Sequence, residues 1–327
     1  MPLTEVDPGS WDDLLDRLGL TDTYYSGGYL EASAQLANGE PVFLHLKSER
    51  GHLVFPCIVR SDPADVVTPY GYGGPVALGA DPHAFGEAYA AWCRSRGIVS
   101  TFAVFQPLLG NEAVAREAGF HVSRLGPTIA WRLGGRDLFE GMHKHHRRLA
   151  RRAAQEGYEA TVSVQPGDLS EFVGLYEQTM RRAGASSFYL FASSYWKALA
   201  ARVSLVRVDV RHEGSLGASV LGFGRAPWLH YHLGANSDEG RRAGASQLAL
   251  LTLARWGQEN GFASLHLGGG VGAAEDSLFT FKQRFDPDGA VDCFIGKAVH
   301  DPDAYRRLSG TAAVDWKNFF PAYRAAR

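Results

Sequence analysis

A chain of 327 residues is long for a single core and is read as two domains, since one domain usually takes about 100–200 residues. Hydrophobic residues at 45% against 21% charged exclude a disordered or fibrous chain. The balance of 33 Lys+Arg against 35 Asp+Glu, a formal net charge of -2, argues against non-specific binding of nucleic acid by the whole surface, so any polyanion must be gripped by a local patch.

No run approaches the roughly 18 apolar residues of a membrane span. The opening MPLTEVDPGSWDD is acidic where a secretory leader would be basic, and a cytoplasmic location is the expectation. Cys57, Cys93 and Cys293 lie far apart, without CxxC or Cys/His ligand spacing. They are expected to be buried thiols, with no disulfide framework and no metal site.

Periodicity predicts two short helices, around Trp11 to Leu18 and Gly28 to Leu36, then a hairpin of PVFLHLK and HLVFPCIV turning at Glu49-Arg50-Gly51. TPYGYGGP, from Thr68 to Pro75, reads as a Gly-broken strand end. A helix follows with Phe85, Tyr89 and Trp92 on one stripe, then the strand VSTFAVF, a short helix near Glu112 to Ala118 and a strand around Thr128 to Leu133. The second half repeats this order. Phe172, Leu175, Tyr176 and Met180 mark one helix and SYWKALAA the next, and Val206, Val208 and Val210 begin a three-strand meander that continues through GASVLGFG and WLHYHLGA. A helix from about Ser246 to Glu259, the strand ASLHL, a helix carrying SLFTFKQRF and the strand VDCFIGKA complete it. The chain is therefore read as two copies of one α/β unit, residues 1–152 with 300–327 packing back on them, and residues 153–299.

The segment between the copies, HKHHRRLARR from His143 to Arg152, holds five permanent cations and three histidines in ten residues. On a helix Lys144, Arg148, Arg151 and Arg152 share one face, with Arg147 beside it. Like charges spaced this way repel by a few tenths of a kcal/mol each. The stripe is better explained by an anionic, phosphate-bearing partner than by helix stability. The alternative is a solvated face with cations near its C-terminal dipole end.

Taken in order, TPYGYGGP, HKHHRRLARRAAQEG, YHLGAN, SDEGRRAGASQLALL and LHLGGGVGAAEDSLFTFKQRF resemble the Fem-type (FemABX) aminoacyltransferases over about Thr68 to Val299. The strongest piece is LGGGxG followed by SLFxFKxxF. The resemblance implies an α/β fold of two tandem GNAT-like domains, each a mixed central sheet flanked by helices. It implies transfer of an amino acid from aminoacyl-tRNA, as co-substrate without further cofactor, to an amine in the cleft between the domains. No heptad run is present, so the coiled-coil insertion of cell-wall members is not expected, and the acceptor is either a cell-wall precursor or a small natural product. A monomer is expected. The alternatives are an acyl-CoA N-acyltransferase, with acetyl-CoA as the donor, and a non-catalytic module that binds tRNA or peptide.

Lys282 is the most informative residue. On a helix, Leu278, Phe281 and Phe285 are expected to bury one side and hold the Lys282 ammonium over the Gly-rich turn as an oxyanion stabiliser; otherwise it is an ordinary surface lysine. The resemblance puts Phe281 and Lys282 on the family's FK pair, which it implicates in substrate binding and transition-state stabilisation. Gly269 and Gly270, in the run from Gly268 to Gly272, permit close approach to substrate, or shape a turn. Arg241, Arg242 and Gly244 precede a helix and either hold phosphate at its N-terminus or simply start it, with Ser246 where a CoA-binding loop has Gly or Ala. Tyr70, Tyr72, Gly73 and Gly74 are an acceptor site or a packed structural turn. Tyr231 either relays a proton to the leaving ribose hydroxyl or is core. No carboxylate marks itself as a general base, and Glu275 and Asp276 are expected to cap the helix after them.

Overall fold

The computed structural model of the chain describes residues 3–311 and 313–325. It divides into two compact units, the first formed by the segments up to and including Leu20, from Tyr24 to Leu125 and from Asp292 onward, the second by Thr21–Thr23 and Gly126–Val291. The break therefore falls near residue 125, where the sequence reading ended the first domain at 152. The cationic helix consequently lies inside the second unit.

In the first unit, β1 (Leu3–Glu5), α1 (Pro8–Leu18) and α2 (Gly27–Ala37) lead into the hairpin of β2 (Gly39–Ser48) and β3 (Gly51–Arg60). The hairpin pairs from Gly39↔Arg60 to Ser48↔Gly51. β4 (Asp65–Val67) and β5 (Val76–Leu78) both pair with β3, and α3 (Pro82–Ser95), β6 (Ser100–Val104), α4 (Glu112–Glu117) and β7 (His121–Arg132) follow. α3 buries Phe85, Tyr89 and Cys93 against Leu44, Leu53 and Phe55 of the hairpin.

The second unit opens with α5 (Leu138–Gly141), α6 (Lys144–Gln155) and β8 (Glu159–Val164), then α7 (Ser170–Arg182) and α8 (Ser193–Arg202). The predicted meander is β9 (Leu205–His212), β10 (Ser215–Arg225) and β11 (Trp228–Asn236). After it come α9 (Asp238–Ala243), α10 (Ala245–Glu259), β12 (Ser264–Gly268) and α11 (Ser277–Gln283), while β13 (Ala290–Val299), from Asp292 on, and α12 (Pro302–Ser309) belong to the first unit. The sheet runs β7-β12-β11-β10-β9-β8, antiparallel except for the parallel pair β11 and β12.

Alternation assigns the faces of this sheet. Val206, Val208, Val210, Ala218, Val220, Leu229, Leu265 and Leu267 join one core with residues of α6, α10 and α11. On the other face His232 meets Tyr195 of α8 and Phe223 of β10, and Thr179 of α7 bonds the β11 end at Asn236.

The duplicated order holds, with a leading strand in each copy that periodicity did not show, β1 and β8, and with β4 and β5 on either side of the single strand end read at Thr68 to Pro75. β1 spans only three residues, and β8 is an edge strand with Val162 and Val164 exposed, so neither carries a core-facing apolar pattern. The last strands are exchanged. β7 ends the first series yet pairs with β12 (Ser264↔Arg132, Leu265↔Trp131), while β13 ends the second and pairs with β6 (Ile295↔Val104 through Val299↔Ser100). That exchange places the unit boundary inside β7, well before the end of the first sequence copy.

Candidate active site

β11 and β12 pair only through Trp228↔Ser264, Leu229↔Leu265 and His230↔His266. Beyond His230, β11 continues to Asn236 on β10, with a bulge where Leu221↔Leu233 is followed by Gly222↔Tyr231. The two strands thus part at Tyr231, leaving an opening in the sheet with backbone polar groups on its edges.

Lys282 of α11 lies at this opening. Its Nζ donates to the Gly269 carbonyl oxygen at 2.6 Å and stands 5.8 Å from the Tyr231 ring centroid. Its 8% exposure rules out a surface lysine. The helix face differs from the expected one. Leu278 is exposed, Phe281 is half-buried, and Phe279 and Lys282 point inward, with Phe285 buried just past the helix end. A lysine is tolerated on the buried face because its methylenes pack while Gly269 receives the charge. Burial pushes the ammonium down to about 8, with Asp276 opposing the shift.

α11 is held at both ends. Asp276 caps it, accepting from Phe279 N at 2.9 Å and Val271 N at 3.0 Å, and a Cβ on Gly270 would strike the same carboxylate. After α11, Phe285 packs on Trp131 and the buried Asp286 accepts from Arg132 and Arg136. From α6, His146 Nε2 meets the Phe281 carbonyl at 2.8 Å, and His143 N donates to the Arg284 carbonyl at 2.8 Å.

Tyr231 is half-buried with its hydroxyl over Gly234, where a Cβ would come within 2.3 Å of it, so a larger residue there would displace the tyrosine. Burial pushes its phenol up to about 12. On the opposite face, His230 Nε2 faces the buried Asp22 at 3.2 Å, and His266 Nε2 faces Thr128 Oγ1 at 2.9 Å. Burial, then His230 and Lys282, hold His266 well below the usual histidine range.

The cations of α6 separate into two groups. Lys144, Arg148 and Arg151 are exposed, Arg151 lying over the Phe139 ring, and among the described residues none of them has an ion pair. Arg147 is committed to the Glu140 and Met142 carbonyls, and Arg152 to those of Ala243 and Arg242 and to Glu156. Arg241 and Arg242 are exposed on α9. Gly244 joins α9 to α10 at φ 97°, and a Cβ there would lie 2.5 Å from the Leu149 carbonyl of α6. The close approach of α6 therefore accounts for glycine at this position.

The first unit holds the TPYGYGGP turn in its own core. Gly73 and Gly74 are buried, and the Gly73 carbonyl accepts from Tyr25 and Asn111. Tyr70 and Tyr72 remain half-buried, the Tyr70 carbonyl accepting from Tyr29 and the Tyr72 ring lying edge-on to Tyr24. Among the described residues no cluster of His, Cys, Asp or Glu is arranged to hold a metal ion, and no helix is long and apolar enough to cross a membrane. Sequence reasoning missed His146, Arg284 and the Asp22–His230 pair. Only His146 left a signal, because it falls at i, i+4 and i+7 with Ala150 and Ala153 on the buried stripe of α6.

Residues 141–282, all within the second unit, match the family model of the acetyltransferase (GNAT) domain. No curated protein matches the chain. Among solved structures, FemX is similar at 13% identity and TM-score 0.68 over 94% of this chain and 100% of that one. L-PGS from Bacillus licheniformis is similar at 18% and 0.58, over 89% and 92%. A tandem GNAT protein from the clavulanic acid biosynthesis pathway is similar at 12% and 0.54, over 92% and 98%. At such identities the likeness is one of fold. The chain has a mixed α/β GNAT fold, with the family-matched GNAT domain in its second unit.

Proposed function

We propose that the chain is an acyltransferase of GNAT type that moves an aminoacyl group from aminoacyl-tRNA to the amine of a peptide or small-molecule acceptor. The observation that carries this reading is that α6, whose exposed Lys144, Arg148 and Arg151 have no ion pair among the described residues, is bonded directly to the last turn of α11, which bears the buried Lys282. Groups suited to RNA phosphates and an ammonium suited to a developing oxyanion thus share one scaffold. The sequence motifs that resemble Fem-type enzymes, and the fold shared with FemX, support the same reading.

In the proposed reaction the acceptor nitrogen attacks the ester carbonyl carbon, and negative charge collects on the carbonyl oxygen. Lys282 carries three N–H donors, of which one serves Gly269, leaving two for that oxygen. One such placed donor is worth roughly 3 kcal/mol. Collapse breaks the bond from carbonyl carbon to ribose oxygen. The ribose oxygen takes up a proton and the former amine gives one up, so the step is proton-neutral. Tyr231, kept protonated by burial, is the proposed donor to the ribose oxygen. In the first unit the half-buried Tyr70 and Tyr72 are the proposed acceptor contacts, with Gly73 and Gly74 shaping their turn.

A second reading, acyl-CoA-dependent N-acylation, is favoured by the description of the matched family model. Against it, the Gly244 N–H, at the start of α10 where a CoA pyrophosphate would need free backbone N–H groups, is donated to the Gly240 carbonyl. The test is incubation with a pool of charged tRNAs and candidate amines. Amide product that RNase abolishes supports the proposal. Thiol release from acetyl-CoA that RNase leaves intact supports the second reading. Salt-sensitive tRNA binding without turnover of either donor overturns both and leaves a binding module.

A further inference from the structure

The last turn of a helix leaves carbonyl groups that must find partners outside the helix. In α11 the Thr280 and Lys282 carbonyls accept from the backbone N–H groups of Arg284 and Phe285. The Phe281 carbonyl, immediately before Lys282, accepts instead from a side chain of another helix, His146 of α6, at 2.8 Å. A carbonyl only accepts, so His146 Nε2 carries the proton. Burial, together with the cations and histidines nearby (Arg284, His145 and His143), holds His146 down at about 4, and the ring is neutral at pH 7.

His146 is 1% exposed, with its ring 4.5 Å from Phe285 and 5.1 Å from Phe281 between centroids. Its Nδ1 is buried and has no hydrogen-bond partner among the described residues. A residue there only to fill space between two phenylalanines would not bury an unsatisfied nitrogen, a cost that Phe or Leu avoids. What histidine supplies in exchange is the single N–H to Phe281. That bond, with His143 N on the Arg284 carbonyl, brackets the turn on which Lys282 sits.

We infer that His146 is a positioning residue for Lys282, fixing the last turn of α11 and so the depth at which the Lys282 ammonium meets the Gly269 carbonyl. The inference rests on the reading of Lys282 as the transfer-site cation, and it is independent of the acyl carrier. Because the opposite face of α6 exposes Lys144, Arg148 and Arg151, one helix then both offers the proposed phosphate contacts and sets the geometry of the ammonium.

Three variants test it: His146→Gln, which keeps a donor, and His146→Phe and His146→Leu, which keep bulk without one. The first readout needs no tRNA. Lys282 is acylated with a small amine-reactive reagent across a pH series and its labelling is quantified by peptide mass spectrometry. Burial opposes the charge and the Asp276 carboxylate favours it, while His266 of β12 and Tyr231 of β11 are the other titratable groups facing it. The wild type is expected to titrate near about 8. The donorless variants should move towards the ordinary 10.5 as the side chain swings out into water, and His146→Gln should stay with the wild type. In transfer assays His146→Phe should lose about tenfold to a hundredfold in kcat with little change in KM for charged tRNA, as expected for misplacement of about 1 Å.

Donorless variants that fold and leave the Lys282 titration in place overturn the inference, as does a His146→Gln that departs from the wild type as far as His146→Phe does. If His146→Phe fails to fold, His146→Leu is read in the same way. A Lys282 titration that shifts in a protein transferring nothing from any tRNA retires the proposed function and keeps this inference. Transfer from tRNA with an unmoved titration does the reverse.

Discussion

The Lys282 ammonium and the Gly269 carbonyl oxygen, 2.6 Å apart, tie the last turn of α11 to the residue that follows β12, across the point where β12 and β11 part. A cation so placed is partly stripped of water, and it is held by one neutral dipole together with the more distant Asp276 carboxylate. Its stability cost and its proposed chemical use come from the same burial.

Replacing Lys282 with Ala should lower single-turnover transfer by about 100- to 1,000-fold while tRNA affinity changes little, since one oxyanion donor is removed. An equal fall in affinity and turnover would mean that Lys282 binds RNA and takes no part in the chemistry.

Stability should carry the mark of the same residue. The folded state holds Lys282 near about 8 against the ordinary 10.5, so between these values the unfolded chain binds more protons and stability rises with pH. Relative to Lys282→Met, the wild type should gain up to about 3 kcal/mol across that window, measured by denaturant unfolding at several pH values. Parallel curves for the two proteins would contradict the burial of the ammonium.

Tyr231→Phe separates a proton donor from a core ring. Removing one hydroxyl keeps the packing, so a loss of about 100-fold or more in turnover at unchanged melting temperature marks general acid catalysis. A fully active Phe variant would assign Tyr231 to packing alone.

The exposed cations of α6 predict a different pattern. Arg148→Ala with Arg151→Ala should weaken tRNA binding and reduce the slope of log K against log salt by about 0.7–0.9 for each phosphate that is no longer neutralised, while turnover at saturation persists. Arg152→Ala should instead lower thermal stability, because its guanidinium joins α6 to the α9–α10 turn. Equal effects of the two changes on binding and on stability would erase the distinction.

Gly244→Ala should destabilise by about 1–3 kcal/mol, since it forces an L residue to φ 97° and presses a methyl group against the Leu149 carbonyl. Chemical denaturation measures it, and a neutral result would show that α6 can move away from α10.

The sequence by itself determined the local order. Period-2 valines gave β9, the Trp11 and Phe85 stripes gave α1 and α3, and the repeated order of elements marked the duplication. It also singled out Lys282 and the cationic helix, because permanent charges at helical spacing show in one dimension. Only the tertiary structure decided that β7 pairs with β12 and β13 with β6, since which strand a segment pairs with depends on partners distant in the chain and not on its own alternation. The same reason hid the environment of Lys282. The stripe Leu278, Phe281 and Phe285 suggested an apolar wall. Two partners decide instead which face of this seven-residue helix turns inward: the Gly269 carbonyl, 13 residues from Lys282, and the His146 donor, 135 residues from Phe281.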